Sequence, residues 1–339
     1  MIAYYAHSQG YGHSNAAEQF CKIFSSDAIV LTSAQYDFDD SITVVPLPSE
    51  DTIYKEYSTT TYNLPEYAHY LPKKHENILD RNIKILKACK RYQIELGLID
   101  VSVETAIQFR IAGIPYAYHK MLGERNDTPH QLAYQASEFL FTRYPAQLDR
   151  ISKLEFMEKT YHLGFLSRFK FRKNVSSFII KPISHLKILC IAGKGGTKLN
   201  EQLMAKLIQQ VPDPTYTALG LNMTSENLNG INHLRFTKDI EQIILEHDVI
   251  ISSCGLNLSS EILALKNKFI AVPERRPYNE QEAFCKKLVG CKLAIELNAD
   301  NFLETLHQYQ NLRFVDNLSE YFGSMENFKR INYFKNLLS

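Results

Sequence analysis

The chain has 339 residues and a mass of 39.1 kDa, with 45% hydrophobic and 22% charged residues and a formal net charge of +1. That length suits two hydrophobic cores rather than one, and the near-neutral balance supplies no global field for nucleic acid. No apolar run reaches the ~20 residues that span a bilayer, no charged segment precedes an apolar one at the N-terminus, and the six cysteines include no CxxC pair, so a reduced cytoplasmic protein without a secretory signal is expected.

In chain order, short β-rich runs alternate with helical-period segments, the pattern of βαβ units and parallel sheets. The first half offers the strands "IAYYA", "AIVLT", "ITVVPL", "LGLID", "IPYAYH" and "EFLFT", with "NAAEQFCKIF" and "ENILDRNIKILKACKRY" as helices between them. A polar, basic stretch around Pro182 separates this set from a second one: "LKILCIAGKGG", "TYTALG", "NHLRF", "DVIISS", "KFIAVP" and "KLAIEL". We therefore expect an α/β protein of two facing, Rossmann-like, doubly wound domains. The first spans 1–165, a linker 166–185, the second 186–318, and a C-terminal helix 319–339. The aromatic residues of that last helix call for a docking surface, the first domain being one candidate.

In open α/β sheets, ligands bind beyond the carboxyl ends of the strands, so the residues that follow strands carry the functional information. After the first strand comes "HSQGYGHSN", where Gly10 and Gly12 permit a tight turn ahead of a helix. It is neither a GxGxxG fingerprint nor a Walker loop. His13 at its mouth reads two ways: a base for a hydroxyl, or a ring that hydrogen-bonds the turn. After "LGLID" come Asp100, Ser102 and Glu104; N-capping by Asp100 or Ser102 accounts for one or two of them, and Asp100 and Glu104 join Gly10 and Gly12 as acceptor-side candidates. After "IPYAYH", the loop "HKMLGERNDTPHQ" carries His119, Glu124, Arg125, Asp127 and His130, more polarity than a turn requires, and reads as a binding loop on the acceptor side.

In the second half, Lys194, Gly195 and Gly196 follow a strand and precede a helix, an arrangement suited to phosphate. Then "DVIISSCGLNLSSEILALKNKFIAVPERRPYNEQ" predicts a strand ending at Ser253, a turn at Gly255, and a helix from about Ser259 with Glu261 in its first turn. Gly255, Ser259 and Ser260 suit a diphosphate, and Glu261 a sugar diol. Capping explains the helix start as well, but not the polar loop with Arg276, Asn279, Glu280 and Gln281 after the next strand.

This C-terminal stretch resembles the donor-binding motif of GT-B glycosyltransferases, in the class of the peptidoglycan N-acetylglucosaminyl transferase and the plant galactolipid synthases. The shared features are S-x-x-G-x-x-x-x-S-E (Ser252 to Glu261), the strand end "FIAVP", and an N/D-x-Q loop (Asn279 to Gln281), together with a Gly-x-Gly-His turn at Gly10, Gly12 and His13. The resemblance implies that His13 is the base for the acceptor hydroxyl and that Lys194, Gly195 and Gly196 face the diphosphate. It further implies that Phe236 and Thr237 line the nucleobase pocket, that Glu261 faces the ribose, and that Arg276, Asn279, Glu280 and Gln281 face the donor sugar. Tyr11 and Cys254 stand near positions where the peptidoglycan enzyme has Gly and Arg, which separates this chain from that enzyme's muropeptide acceptor.

The expected activity is inverting, metal-independent transfer from a nucleoside diphosphate sugar, UDP above all, to an acceptor hydroxyl in cell-surface polysaccharide synthesis. No cofactor beyond the donor substrate is expected, and no DxD-type metal motif stands in the second domain. A nucleotide-sugar hydrolase and a non-catalytic sugar-nucleotide binder remain as alternatives. A lipid-linked or polymeric glycan acceptor is expected. The basic residues Lys84, Lys87 and Arg91 on one helix face, opposite Ile78, Ile85 and Cys89, read first as a solvated face, with peripheral contact at the inner membrane face as the alternative.

Overall fold

In this computed structural model, the described residues are 1–8, 10–49, 65–71, 73, 75–149, 156–172, 181–193, 197–221, 231–234, 237, 239–313, 315–324, 328, 329 and 331. The first domain runs β1 (Ile2–Ala6), α1 (Tyr11–Phe24), β2 (Ala28–Thr32), β3 (Thr43–Pro46), α2 (Glu76–Arg91), β4 (Leu96–Asp100), α3 (Val103–Ile111), β5 (Tyr116–His119), α4 (Thr128–Ala136), β6 (Phe139–Thr142) and β7 (Thr160–His162). The second runs β8 (Lys187–Ile191), α5 (Glu201–Gln210), β9 (Thr215–Leu219), β10 (Ile231–Leu234), α6 (Ile240–Glu246), β11 (Val249–Ser253), α7 (Leu256–Lys266), β12 (Phe269–Val272), α8 (Glu280–Gly290), β13 (Ala294–Glu296) and α9 (Phe302–Asn311).

Both sheets are parallel, ordered β3-β2-β1-β4-β5-β6-β7 and β10-β9-β8-β11-β12-β13. The near-continuous apolar runs are explained by this arrangement, because helices cover both faces of each sheet; every residue of β1, β2, β4 and β11 is buried. Helix α1 packs through Ala16, Ala17, Phe20, Cys21 and Phe24, the stripe its period implies. In each sheet the order reverses between the first and fourth strands of the domain, and crevices at such points receive ligands.

Three expectations need adjustment. The strand β7 was not visible in the sequence, since three half-buried residues at a sheet edge leave no hydrophobic pattern. The helix expected near Ser259 starts at Leu256, directly after its N-cap Gly255, so Glu261 lies in the second turn and faces inward. Most of the terminal segment 319–339 lies outside the described residues; Leu318–Tyr321 is a 3-10 turn, and Phe328 and Ile331 are buried in the first domain's core beside Phe20 and Phe24.

Candidate functional site

The carboxyl end of β4 and the turn after β1 meet at the first sheet's reversal point. There His13 Nδ1 lies 2.9 Å from Asp100 Oδ2, while the same carboxylate receives Tyr4 Oη at 3.0 Å and His119 Nδ1 at 2.6 Å. Asp100 is fully buried. Burial alone would push its carboxyl up, but His13, Arg143 and His119 outweigh that and hold it well below the usual carboxylate range. An anionic Asp100 accepts Nδ1–H of His13, which leaves the Nε2 lone pair to take a substrate proton.

His119 is neutral: burial and Arg143 lower it to about 4 against the opposing pull of Asp100. Its Nε2 accepts from Arg143 Nε at 3.3 Å, so its proton sits on Nδ1 and points at Asp100. The sequence placed His119 only in a polar binding loop and passed over Arg143; the sheet order β4-β5-β6 is what brings both to Asp100.

The local backbone explains why Asp100 is available. Ser102, not Asp100, caps α3, accepting from Thr105 N at 3.2 Å. Between them Val101 is held at φ 69, a costly conformation for a β-branched residue, of order 1–3 kcal/mol. That kink separates the capping side chain from the one aimed at His13. On the other side of the pair, Gly10 caps α1 at φ 77, where a side chain would be strained.

Across the cleft, α7 begins at the second sheet's reversal point and directs the N–H groups of its first turn outward. Gly255 is its N-cap; Ser259 and Ser260 are buried, Ser260 Oγ bonding Leu256 O at 2.7 Å and Ser259 Oγ finding no protein partner. Both oxygens of Glu261 are held by Arg168, from Nε at 2.6 Å and Nη2 at 3.0 Å. Lys194, Gly195, Gly196 and Phe236 lie outside the described residues. Thr237 is exposed, its Oγ1 accepting from Asp239 N at 3.2 Å.

Sequence reasoning passed over Glu274. This buried carboxylate accepts backbone N–H bonds from Thr197 (2.9 Å), Lys198 (2.8 Å) and Leu199 (3.1 Å), the residues that follow the glycine pair. Burial pushes its carboxyl up, but those three donors prevail and lower it. Gln281 serves the same loop: its Oε1 accepts from Glu274 N at 2.9 Å, so its amide is engaged inside the second domain. Arg276 is half-buried at the head of the following turn.

The remaining sugar-side residues and the acceptor-side loop meet each other. Arg125 Nη2 donates to Glu280 Oε2 at 2.8 Å, Asn279 Nδ2 to Glu124 Oε2 at 3.1 Å, and Glu124 N to Tyr278 O at 2.7 Å. Arg125 also lies over the Tyr278 ring, 4.6 Å from its centroid. The two loops thus form a clasp between the domains. Glu104 holds the backbone N–H groups of His69 (2.7 Å) and Tyr70 (2.9 Å) and lines the hollow between α2 and α3.

Among the described residues, His69, Asp127 and His130 share the composition of a metal site. Their hydrogen bonds argue otherwise. Arg125 Nη1 donates to His130 Nε2 at 3.3 Å, which puts the imidazole proton on Nδ1, facing Asp127 Oδ1 at 2.7 Å. Burial lowers His130 to about 4, so it stays neutral in that tautomer. In that tautomer the nitrogen turned toward the cluster carries the proton, which a cation would have to displace.

Beside the His13 pair, a cavity of about 530 Å³ opens between α2 and α3. Val101, Ile78, Leu86 and Ile107 line it with Tyr70 and Gln108, and His7 stands at its edge, its ring 6.0 Å from that of His13.

Two doubly wound domains facing one cleft, with a polar site at each sheet's reversal point, are the architecture of GT-B proteins. No family model matches the chain, and no curated protein matches it. Solved structures do: the spinosyn rhamnosyltransferase SpnG has TM-score 0.60 at 9% identity, covering 99% of this chain and 96% of that one. MurG of Acinetobacter baumannii has TM-score 0.57 at 13% identity, with 99% and 98% covered. Phytolacca americana UGT2, complexed with UDP-2fluoro-glucose and pterostilbene, has TM-score 0.60 at 14% identity, with 100% and 93% covered. These neighbours are GT-B glycosyltransferases, and the chain shares their fold.

Proposed function

We propose that the protein is a glycosyltransferase that moves a sugar from a nucleoside diphosphate donor to an acceptor hydroxyl, with inversion and without metal. The observation that carries this reading is the His13–Asp100 pair at the cleft. The acceptor oxygen attacks the anomeric carbon, the bond from that carbon to the diphosphate breaks, and the acceptor proton passes to His13 Nε2. Asp100 fixes the ring and stabilises the imidazolium that forms. The departing diphosphate meets the first-turn N–H groups of α7 and the loop of Lys194, Gly195 and Gly196, so positive potential is supplied without a metal ion. Neighbours recorded with thymidine diphosphate and with a UDP sugar support a pyrimidine nucleoside diphosphate; uridine is our choice. Thr237 and Phe236 would stand at the base and Glu261 at the ribose.

The acceptor, on this reading, carries an apolar body that fits the cavity beside His13. Helix α2 extends that surface: Ile85 and Cys89 are buried, but Leu79 (60% exposed), Ile83 and Leu86 share the outer face with Lys84, Lys87, Lys90 and Arg91. An apolar stripe flanked by cations supports contact with an anionic membrane surface and a lipid-linked acceptor. No helix among the described residues is long and apolar enough to cross a membrane.

The test is thermal unfolding against UDP, GDP, CDP and dTDP sugars, followed by product analysis. A UDP sugar should raise the apparent stability, and His13→Ala should keep that rise while losing transfer. No stabilisation by any sugar nucleotide would reject the reading, and free sugar as the main product would mark a hydrolase. Sedimentation with anionic phospholipid vesicles tests the membrane contact, which Leu79→Asp should abolish.

A further inference from the structure

One side chain of the second domain reaches into the base machinery of the first. Asn257, the second residue of α7, donates from Nδ2 to Gly12 O at 2.7 Å and accepts at Oδ1 from Arg143 Nη1 at 3.1 Å. Gly12 is the residue before His13, and a Cβ there would sit 3.2 Å from Asn257 Nδ2. Arg143 is buried, and its Nη2 stands 3.6 Å from Asp100 Oδ2, the same oxygen that receives His13 and Tyr4.

We propose that Asn257 is a positioning residue through which the second domain aligns His13 for proton transfer. The inference rests on His13 being the base. A guanidinium and a carboxylate attract strongly when buried, and a charge-assisted bond between them is about twice as strong as a neutral one. Left to itself, Arg143 would close on Asp100 Oδ2 and compete with His13 for that oxygen. Asn257 Oδ1 holds the guanidinium back, and its amide simultaneously fixes the carbonyl one residue ahead of the base.

Both restraints exist only while α7 is seated against α1. Separation of the domains would release Arg143 toward Asp100 and loosen the turn that presents His13. The base is then aligned only when the donor-binding domain is in place, which disfavours proton abstraction from water in an open cleft. The groups facing His13 are Asp100, His7, Arg143, His119 and Glu280, and of these Asn257 bonds Arg143 directly.

The experiment reads the His13 tautomer in the full chain by ¹⁵N-histidine NMR at pH 8, with its signals identified by loss in His13→Gln. In the wild type the Nδ1–H tautomer should dominate. Asn257→Ala should shift the neutral ring toward a mixture of tautomers with native thermal stability, because Asp100 no longer holds Nδ1–H. Asn257→Asp keeps the acceptor for Arg143 but sets a carboxylate oxygen against Gly12 O in place of the donor, so it should lose the Nδ1–H preference in part, less than Asn257→Ala. An unchanged tautomer in Asn257→Ala would overturn the inference. Full transfer activity in His13→Ala would instead overturn the base assignment on which it rests, so the two failures are separable.

Discussion

Arg168 holds both carboxylate oxygens of Glu261, at 2.6 and 3.0 Å, and so occupies the group that the motif assigns to the ribose. Arg168 belongs to the segment between the domains and is 44% exposed on its side chain, whereas Glu261 is buried. On the proposed function the pair competes with the nucleotide for Glu261, and as a half-exposed pair it contributes only about 0–1 kcal/mol to stability. Arg168→Ala should therefore tighten UDP binding by about 10-fold, roughly 1.4 kcal/mol. Glu261→Ala should weaken binding and remove that gain in the double variant. Isothermal titration with UDP checks both; weaker binding in Arg168→Ala would mean that the guanidinium holds Glu261 in its working position.

Glu274 lies behind the backbone that follows the glycine pair, so on the proposed function it acts on the nucleotide through that loop. With three backbone donors on one carboxylate, it orders Thr197 to Leu199. Glu274→Ala leaves those donors without their acceptor, at about 1–3 kcal/mol for each group left buried and unsatisfied. UDP affinity should fall at least 10-fold, while far-ultraviolet circular dichroism stays native.

Gly123 sits in the interdomain clasp at φ 113, where a Cβ would lie 2.6 Å from Tyr278 O. Gly123→Ala must push the two loops apart, breaking the short bond from Glu124 N to Tyr278 O. A loss of about 1–3 kcal/mol is expected, from overpacking and backbone strain together. Urea unfolding checks this, and small-angle scattering should show a more open molecule.

The buried histidines set a pH dependence. His119 and His130 have pKa values lowered from 6.5 to about 4, chiefly by burial. Between those values the unfolded chain binds protons that the native chain refuses, so stability falls as pH drops from about 6.5 toward 4. Chemical unfolding should give a lower midpoint at pH 5 than at pH 7.5, and replacing His130 by Asn should flatten the difference.

Much of the fold was legible in the sequence, and the site only in part. Fully buried parallel strands leave unbroken apolar runs, so "IAYYA" and "LGLID" could be read directly, and the residues after them marked the cleft. What could not be read were partnerships set by strand order. Asp100 was an acceptor-side candidate that N-capping explained as well, until β4 was seen beside β1. Arg143 lies outside every motif, Asn257 falls on an unspecified position inside Ser252 to Glu261, and His119, at the head of the polar loop, carries no sign of its partner Asp100. The sets around Arg125 and Glu280 were assigned to opposite substrates because sequence carries no sign that two loops 155 positions apart bond each other.

The most direct test of the account is turnover of the stabilising nucleotide sugar by His13→Ala. The account predicts a loss of about 10²–10⁴-fold, the usual contribution of a positioned base, with donor binding and thermal stability unchanged. Wild-type turnover in that variant would contradict it.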